Sequence, residues 1–221
     1  MTIIVTFVVL TVLVSYWWLW AHRIHEKPWL VEGIPDDHSM AQDGPYQTSR
    51  TGLVVFLAVV TSLFSLFVSA YFIRMQLADW SPLAEPGLLW INTGMLILGS
   101  IAIQWASYCS GKGDLKNTQY ALLATGFFTG SFIFGQLWAW QELVNNGFYI
   151  RSGPAVAFFY VITGCHMLHM LGGLWVWCRT TLNLWSGAEL VEIRPSIQLC
   201  GTYWHYLLLV WVALFGLLLS T

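Results

Sequence analysis

The sequence predicts an all-α fold: a polytopic membrane bundle of six transmembrane helices, with both termini on the outer side. Three observations predict it. The 221 residues are 57% hydrophobic and 9% charged, where a soluble domain carries about 25% charged residues. Six apolar runs, at about 2–21, 51–73, 87–107, 118–141, 154–177 and 202–220, are each near the roughly 20 residues that cross a hydrocarbon core of about 30 Å. Every lysine, arginine, aspartate and glutamate lies clearly outside those runs except Glu142, which sits at the edge of one. A charge at the centre of such a helix costs about 2.5–3.5 kcal/mol. In lipid each backbone amide must bond within its own segment, so every run reads as a helix.

The first run, 2–21, is apolar from Thr2. It has no basic leader and no small-residue cleavage site before "HRIHEK". It therefore reads as a retained helix rather than a signal peptide. The loop from Arg23 to Arg50 follows. Residues 1–50 are expected to form this first helix and a cytoplasmic loop, and residues 51–221 a five-helix bundle. Turn-rich connectors, "SGKGDLKN" (110–117) and "VNNGFYIRSGP" (144–154), part the later runs. The last run places His205 at its start, near the cytoplasmic face. Tryptophans such as Trp80, Trp90, Trp138, Trp177 and Trp204 fall near the ends of runs, where indole suits the membrane interface.

Orientation follows from the basic residues. Arg23, Lys27, Arg50, Lys112, Lys116, Arg179 and Arg194 lie in the odd loops, while Arg74 and Arg151 are alone in the even ones. Seven against two puts the odd loops in the cytoplasm and the termini outside. A bacterial cytoplasmic membrane is the expected location. The net charge of −2 offers no basic face for nucleic acid.

Cys109, Cys165, Cys178 and Cys200 include no C-x-x-C pair, the usual mark of a zinc site. A reducing compartment also argues against disulfides. They read as small apolar packing residues.

The stretch "VITGCHMLHMLGGLW" (161–175) carries His166 and His169. Positions i and i+3 share a helix face, and His166 lies about 18 Å into its helix at roughly 1.5 Å per residue. An ionisable residue at that depth is a functional suspect. A metal needs three or four ligands, and bis-histidine haem needs histidines on facing helices. His22, His25 and His38 sit in the first loop, His205 is too shallow, and Cys165 points elsewhere on the helix. The pair is therefore expected to be buried and hydrogen-bonded between helices, with Gln136, Gln104 and Thr163 as candidate partners. Gly172 and Gly173 are expected to admit a close neighbour. A transporter would show carboxylate pairs at depth or an inverted repeat; neither is evident.

Five ordered motifs carry a resemblance. They are "RTGLVVFLAVVTSLF" (50–64), "PLAEPGLLWINTGMLILGSIAIQWA" (82–106), "QLWAWQEL" (136–143), "TGCHMLHMLGG" (163–173) and "YWHYLLLVW" (203–211). Together, over about residues 50–220, they resemble subunit III of haem–copper terminal oxidases, the cytochrome c oxidase type. By orientation the first helix corresponds to that family's second, so one N-terminal helix is missing relative to the seven-helix form. Two positions depart from the family: Val60 stands where a buried glutamate is frequent, and Leu208 where an aspartate is. Both put in doubt a proton-handling role for those acids.

The resemblance implies an accessory subunit with no redox cofactor of its own. Haem and copper would belong to subunits I and II, and phospholipid would be held in a cleft. Activity would belong to the complex: cytochrome c oxidation, oxygen reduction and proton pumping. Arg23, Arg50 and Arg179 are candidate contacts for lipid phosphates, against the plainer reading of positive-inside topology. Glu142 aligns with a family glutamate; capping or an ion pair with Arg151 is the alternative. His166 and His169, and Trp204 and His205 of the Tyr-Trp-His motif, are signature residues with structural roles. Alternatives are the same subunit type in a quinol oxidase or nitric oxide reductase, an assembly scaffold, or a transporter.

Overall fold

A computed structural model describes residues 37–81 and 87–220, with side chains from Thr48 onward. The expected first helix, 2–21, lies outside the described residues, as do Arg23 and Lys27. Five helices follow in order: α1 Asp37–Arg74, α2 Leu88–Gly111, α3 Leu115–Asn145, α4 Pro154–Trp185 and α5 Leu190–Leu219. Among the described residues, five helices are long and apolar enough to cross a membrane.

The helix ends are set by local chemistry. At α2–α3 the chain turns through Gly113 at φ +76°, a region that favours glycine. Asp114 then caps α3 by accepting the Asn117 backbone N–H at 3.1 Å. Asn145 ends α3, and Gly147 at φ +84° turns the chain away. Pro154 occupies the first turn of α4, where its missing N–H would find no intrahelical partner in any case.

Two expected boundaries need correction. α1 starts at Asp37, inside what reads as loop before 51. α5 starts at Leu190 rather than at 202. In the second case an apolar run is the wrong signal. Ile193, Ile197, Cys200 and Trp204 are buried at helical spacing, while charged and polar residues between them face out; this is an amphipathic opening to an otherwise apolar helix. Pro195 is the sixth residue of α5, so the Val191 carbonyl loses its intrahelical donor there. The 30 residues of α5 span about 45 Å, so its ends pass beyond the hydrocarbon.

α2 packs on α3 and α5, and α4 packs on α3 and α5, closing a four-helix ring. The α2–α3 seam is close because glycines face larger groups. A side chain at Gly99 would stand 3.5 Å from Phe128 and Thr129, and Gly135 receives the Asn92 carboxamide. α1 joins the ring through side chains. The Thr61 and Tyr206 hydroxyls lie 2.9 Å apart, and Tyr71 meets Phe158 edge-on with centroids 5.5 Å apart.

Three tryptophans pin the ring. The indole N–H of Trp211 donates to Thr93 Oγ1 at 2.9 Å, that of Trp204 to Thr129 Oγ1 at 3.0 Å, and that of Trp140 to Thr163 Oγ1 at 3.1 Å. The hydroxyls of Thr93 and Thr163 in turn donate to carbonyls of their own helices, Leu89 at 2.8 Å and Phe159 at 2.7 Å. Each of these two threonines thus satisfies a neighbour's buried donor while its own proton stays bonded. Trp204 is thereby a core residue, 1% exposed, and not the interfacial anchor its position near a run's end led one to expect.

Candidate functional site

The paired histidines lie where α4 meets α1 and α5. His166 is fully buried. Its Nε2 is 3.1 Å from the carbonyl of Leu207 on α5, so Nε2 carries the proton and donates. None of the three expected partners binds it. Gln104 pairs with His205, Thr163 with Trp140, and Gln136 has no partner for either amide atom among the described residues. The physical reason is proximity: Gly173 lets α5 approach so closely that a β-carbon there would stand 2.6 Å from Tyr203. A helical carbonyl has a second lone pair to offer, and His166 takes it.

Aromatic rings close the rest of the pocket. Trp211 lies 5.1 Å from the His166 ring, centroid to centroid, and Phe132 5.8 Å. Phe64 of α1 touches both histidines, 6.5 Å from His166 and 5.6 Å from His169. His166 Nδ1 has no hydrogen-bond partner among the described residues.

His169 is half-buried and turns back on its own helix. Its Nδ1 is 2.8 Å from the Cys165 carbonyl and 3.9 Å from Cys165 Sγ. Cys165 therefore does not point away from the pair; it flanks His169. The link to α5 here runs through backbone, with the Tyr203 hydroxyl donating to the His169 carbonyl at 2.9 Å. So the pair share Phe64 and one seam, but only His166 bonds across helices through its ring. Gly173 makes the close approach expected of both glycines; at Gly172 a side chain would meet nothing within 4 Å.

His205 is not at the start of a helix. It sits midway along α5 and faces α2, away from His166. Its Nδ1 is 2.5 Å from Ser100 Oγ and its Nε2 3.0 Å from Gln104 Oε1. The amide oxygen can only accept, so Nε2–H donates and the serine hydroxyl donates to Nδ1. Trp204, the preceding residue, points the opposite way into the core.

The remaining candidates are dispersed. Glu142 is exposed near the end of α3, where its carbonyl accepts the Asn146 N–H at 3.0 Å. Among the described residues Glu142 and Arg151 form no ion pair; the Arg74 guanidinium instead grips Asp79, with Nη1 2.6 Å from Oδ1. Asp79 is held below the ordinary carboxylate range by that hydrogen bond. Arg179 is exposed on the last turns of α4 and Arg50 half-exposed on α1. Val60, where the resemblance led to the expectation of a glutamate, is 2% exposed. Among the described residues no three histidine, cysteine, aspartate or glutamate side chains converge. The cysteines are free thiols, with Cys109 and Cys200 buried.

Sequence reasoning missed the tryptophan–threonine pins. Only Trp211 lies well inside an apolar run, while Trp140 and Trp204 fall near run ends, and the partner threonine of each lies on another helix.

No protein-family model matches the chain. Curated relatives do. The chain is 30% identical over 175 residues to the probable cytochrome c oxidase subunit 3 of Mycobacterium leprae (strain TN), covering 74% of this chain and 83% of the relative. It is 28% identical over 179 residues to the probable cytochrome c oxidase subunit 3 of Nocardia farcinica (strain IFM 10152), covering 75% and 84%. With the cytochrome c oxidase subunit 3 of Thermostichus vulcanus it shares 28% over 178 residues, 76% and 84% of the two chains.

Proposed function

The chain belongs to the cytochrome c oxidase subunit 3 family, and from that premise we propose that it stabilises the catalytic subunit of an oxidase complex and holds lipid against it. The complex, not this chain, carries out electron transfer to oxygen. Its haem and copper reside in the partner subunits I and II. The relatives named above are all cytochrome c oxidase subunits, which favours that electron donor over quinol.

One observation carries the reading: each membrane-depth histidine makes a structural hydrogen bond, and among the described residues no three ligating side chains converge on the unpaired Nδ1 of His166. His166 donates to Leu207, His169 turns to the Cys165 carbonyl, and His205 lies between Ser100 and Gln104. A ligand histidine needs a free ring nitrogen aimed at a shared point with two or three others. These three address three different places.

Lipid contact is supported by exposed Arg179 and by Arg50, at one end of the bundle. The seven-to-two division of basic residues assigns that end to the cytoplasm, where anionic lipid head groups attract them. The segment 1–50 is proposed as a unit separate from the five-helix bundle 51–221.

Purification of the complex with and without this chain tests the proposal. Oxygen reduction should survive removal of the subunit, with faster loss of activity during turnover. Phosphate analysis should find fewer retained phospholipids in an Arg50→Ala/Arg179→Ala complex. Haem or copper travelling with the isolated chain would overturn the reading.

A further inference from the structure

The exterior of the bundle is apolar where lipid would lie: Trp175 is 75%, Phe127 69% and Leu66 68% exposed. A polar groove breaks that pattern. Between α2 and α5 a groove of about 350 Å³ is lined by Gln104, Ser107, Gln198, Thr202 and His205, with Gly201 in its wall. Gln104 and His205 are exposed there.

Depth makes this unusual. His205 lies three residues into the apolar run that begins at 202, and Gln104 about 10 Å along α2 from Gly111, so both fall within the membrane span. The hydrogen bonds from Ser100 to Nδ1 and from Nε2 to Gln104 Oε1 use both imidazole nitrogens and the amide oxygen. The Gln104 amide N–H groups make no hydrogen bond among the described residues, and the residue is open to the outside. Hydrocarbon offers no acceptor for them, and such groups normally face protein or a water-filled cavity.

The mouth of the groove carries a matching demand. Tyr108 also lines it and lies beneath Lys112, whose ammonium is 4.3 Å from the ring centroid. The Arg194 guanidinium lies over Gly111, 3.3 Å from where a β-carbon would be. Two cations at the mouth and amide donors deeper both call for acceptor oxygens. A phospholipid could satisfy the mouth with its phosphate but could not carry that phosphate to the depth of Gln104. A helix that bears an acidic residue at one end and a hydrogen-bond acceptor about 12 Å further along satisfies both.

We infer that the α2–α5 groove is the face on which another subunit of the oxidase docks a transmembrane helix, its acceptor bonded to Gln104 and its acidic end set against Lys112 and Arg194. This rests on the accessory-subunit reading above. Interhelical polar bonds of this kind give register as well as adhesion, and the Ser100–His205–Gln104 chain holds the donor rigidly.

The test uses the intact complex in native membranes, with the photoreactive residue p-benzoylphenylalanine replacing Gln104 in one variant, Thr202 in a second and Trp175 in a third. Irradiation should join the first two to a transmembrane segment of another subunit, while the third labels lipid. In parallel, Gln104→Leu/His205→Leu should lower retention of this chain during detergent purification at least tenfold, with Trp175→Leu unchanged. Melting of the double variant, purified alone, checks that it folds. Labelling of lipid alone from position 104, or of residues 1–36 of this same chain, overturns the docking proposal while leaving the subunit reading standing. Undiminished retention of the double variant overturns it as well. A wild-type chain that purifies without any haem protein sinks both.

Discussion

The indole N–H of Trp204 on α5 meets the hydroxyl of Thr129 on α3 at 3.0 Å, with both residues essentially sealed from the outside. Neither group has water to turn to. The bond therefore fixes the register of two helices that are not neighbours in sequence, inside a medium that supplies little hydrophobic force between helices.

Thr129→Val keeps the shape and removes the acceptor, leaving Trp204 Nε1 buried and unpaired. An orphaned donor costs about 1–3 kcal/mol in proteins generally, and interhelical bonds in membrane bundles average nearer about 0.6 kcal/mol. Complete burial puts this site between the two, at about 1–2 kcal/mol. Thermal unfolding of the purified subunit should show the loss, and Thr129→Ser should recover most of it. Equal melting of the valine and serine variants would assign Trp204 a packing role alone.

The two glycines beside the histidines should behave oppositely. A β-carbon at Gly173 would collide with Tyr203 at 2.6 Å, whereas at Gly172 it would meet nothing. Overpacking of this kind costs about 1–3 kcal/mol. Gly173→Ala should therefore lower stability and loosen the α4–α5 seam, seen as faster proteolysis or hydrogen exchange. Gly172→Ala should be neutral, or slightly stabilising through helix propensity. Similar losses from both would mean that α5 does not seat against Gly173.

These contrasts mark what the sequence could and could not convey. Five spans were legible because roughly 20 apolar residues in a row have few other uses. The early start of α5 was not, since its first turns bury only Ile193, Ile197 and Cys200 and leave Glu192 and Arg194 outside; a continuous run is blind to such a face. The i, i+3 spacing put His166 and His169 on one seam, and Phe64 does touch both. It could not show that His166 would choose a backbone carbonyl over three side-chain amides and hydroxyls, because that choice depends on how closely α5 approaches. His205 was misplaced for the same reason as α5. Once the helix begins at Leu190, the residue falls at its midpoint and faces α2.

Acidification should weaken the α2–α3 connection. Asp114 is held below its ordinary carboxylate range, chiefly by the Asn117 backbone N–H and then by the Asn117 side chain. A folded pKa below the unfolded one gives stability that is present above the unfolded pKa. That stability disappears as pH falls through the folded value. The cap should thus be intact at neutral pH and lost in the acid range below the usual carboxylate pKa. Asp114→Asn retains a cap acceptor but has no proton to take up. Its melting temperature should depend less steeply on pH than that of the wild type below about pH 4. Parallel pH profiles would show that another carboxylate governs the acid transition.

The histidine pair offers the sharpest separation between ligand and structural roles. His166→Leu removes the Nε2–H that donates to Leu207 but leaves that carbonyl in its own helix, so no acceptor is stranded. The loss is one buried hydrogen bond and part of the contact with Trp211 and Phe132, worth about 1–2 kcal/mol. Haem and copper per catalytic subunit should be unchanged in the purified complex, and so should its optical spectrum. What should change is the temperature at which this chain dissociates. His169→Leu should do less, because its ring bonds within its own helix and the Tyr203 link uses the backbone. A shifted haem band in either variant, with the subunit still bound, would mean that the pair reaches the redox centre, and the structural assignment would fall.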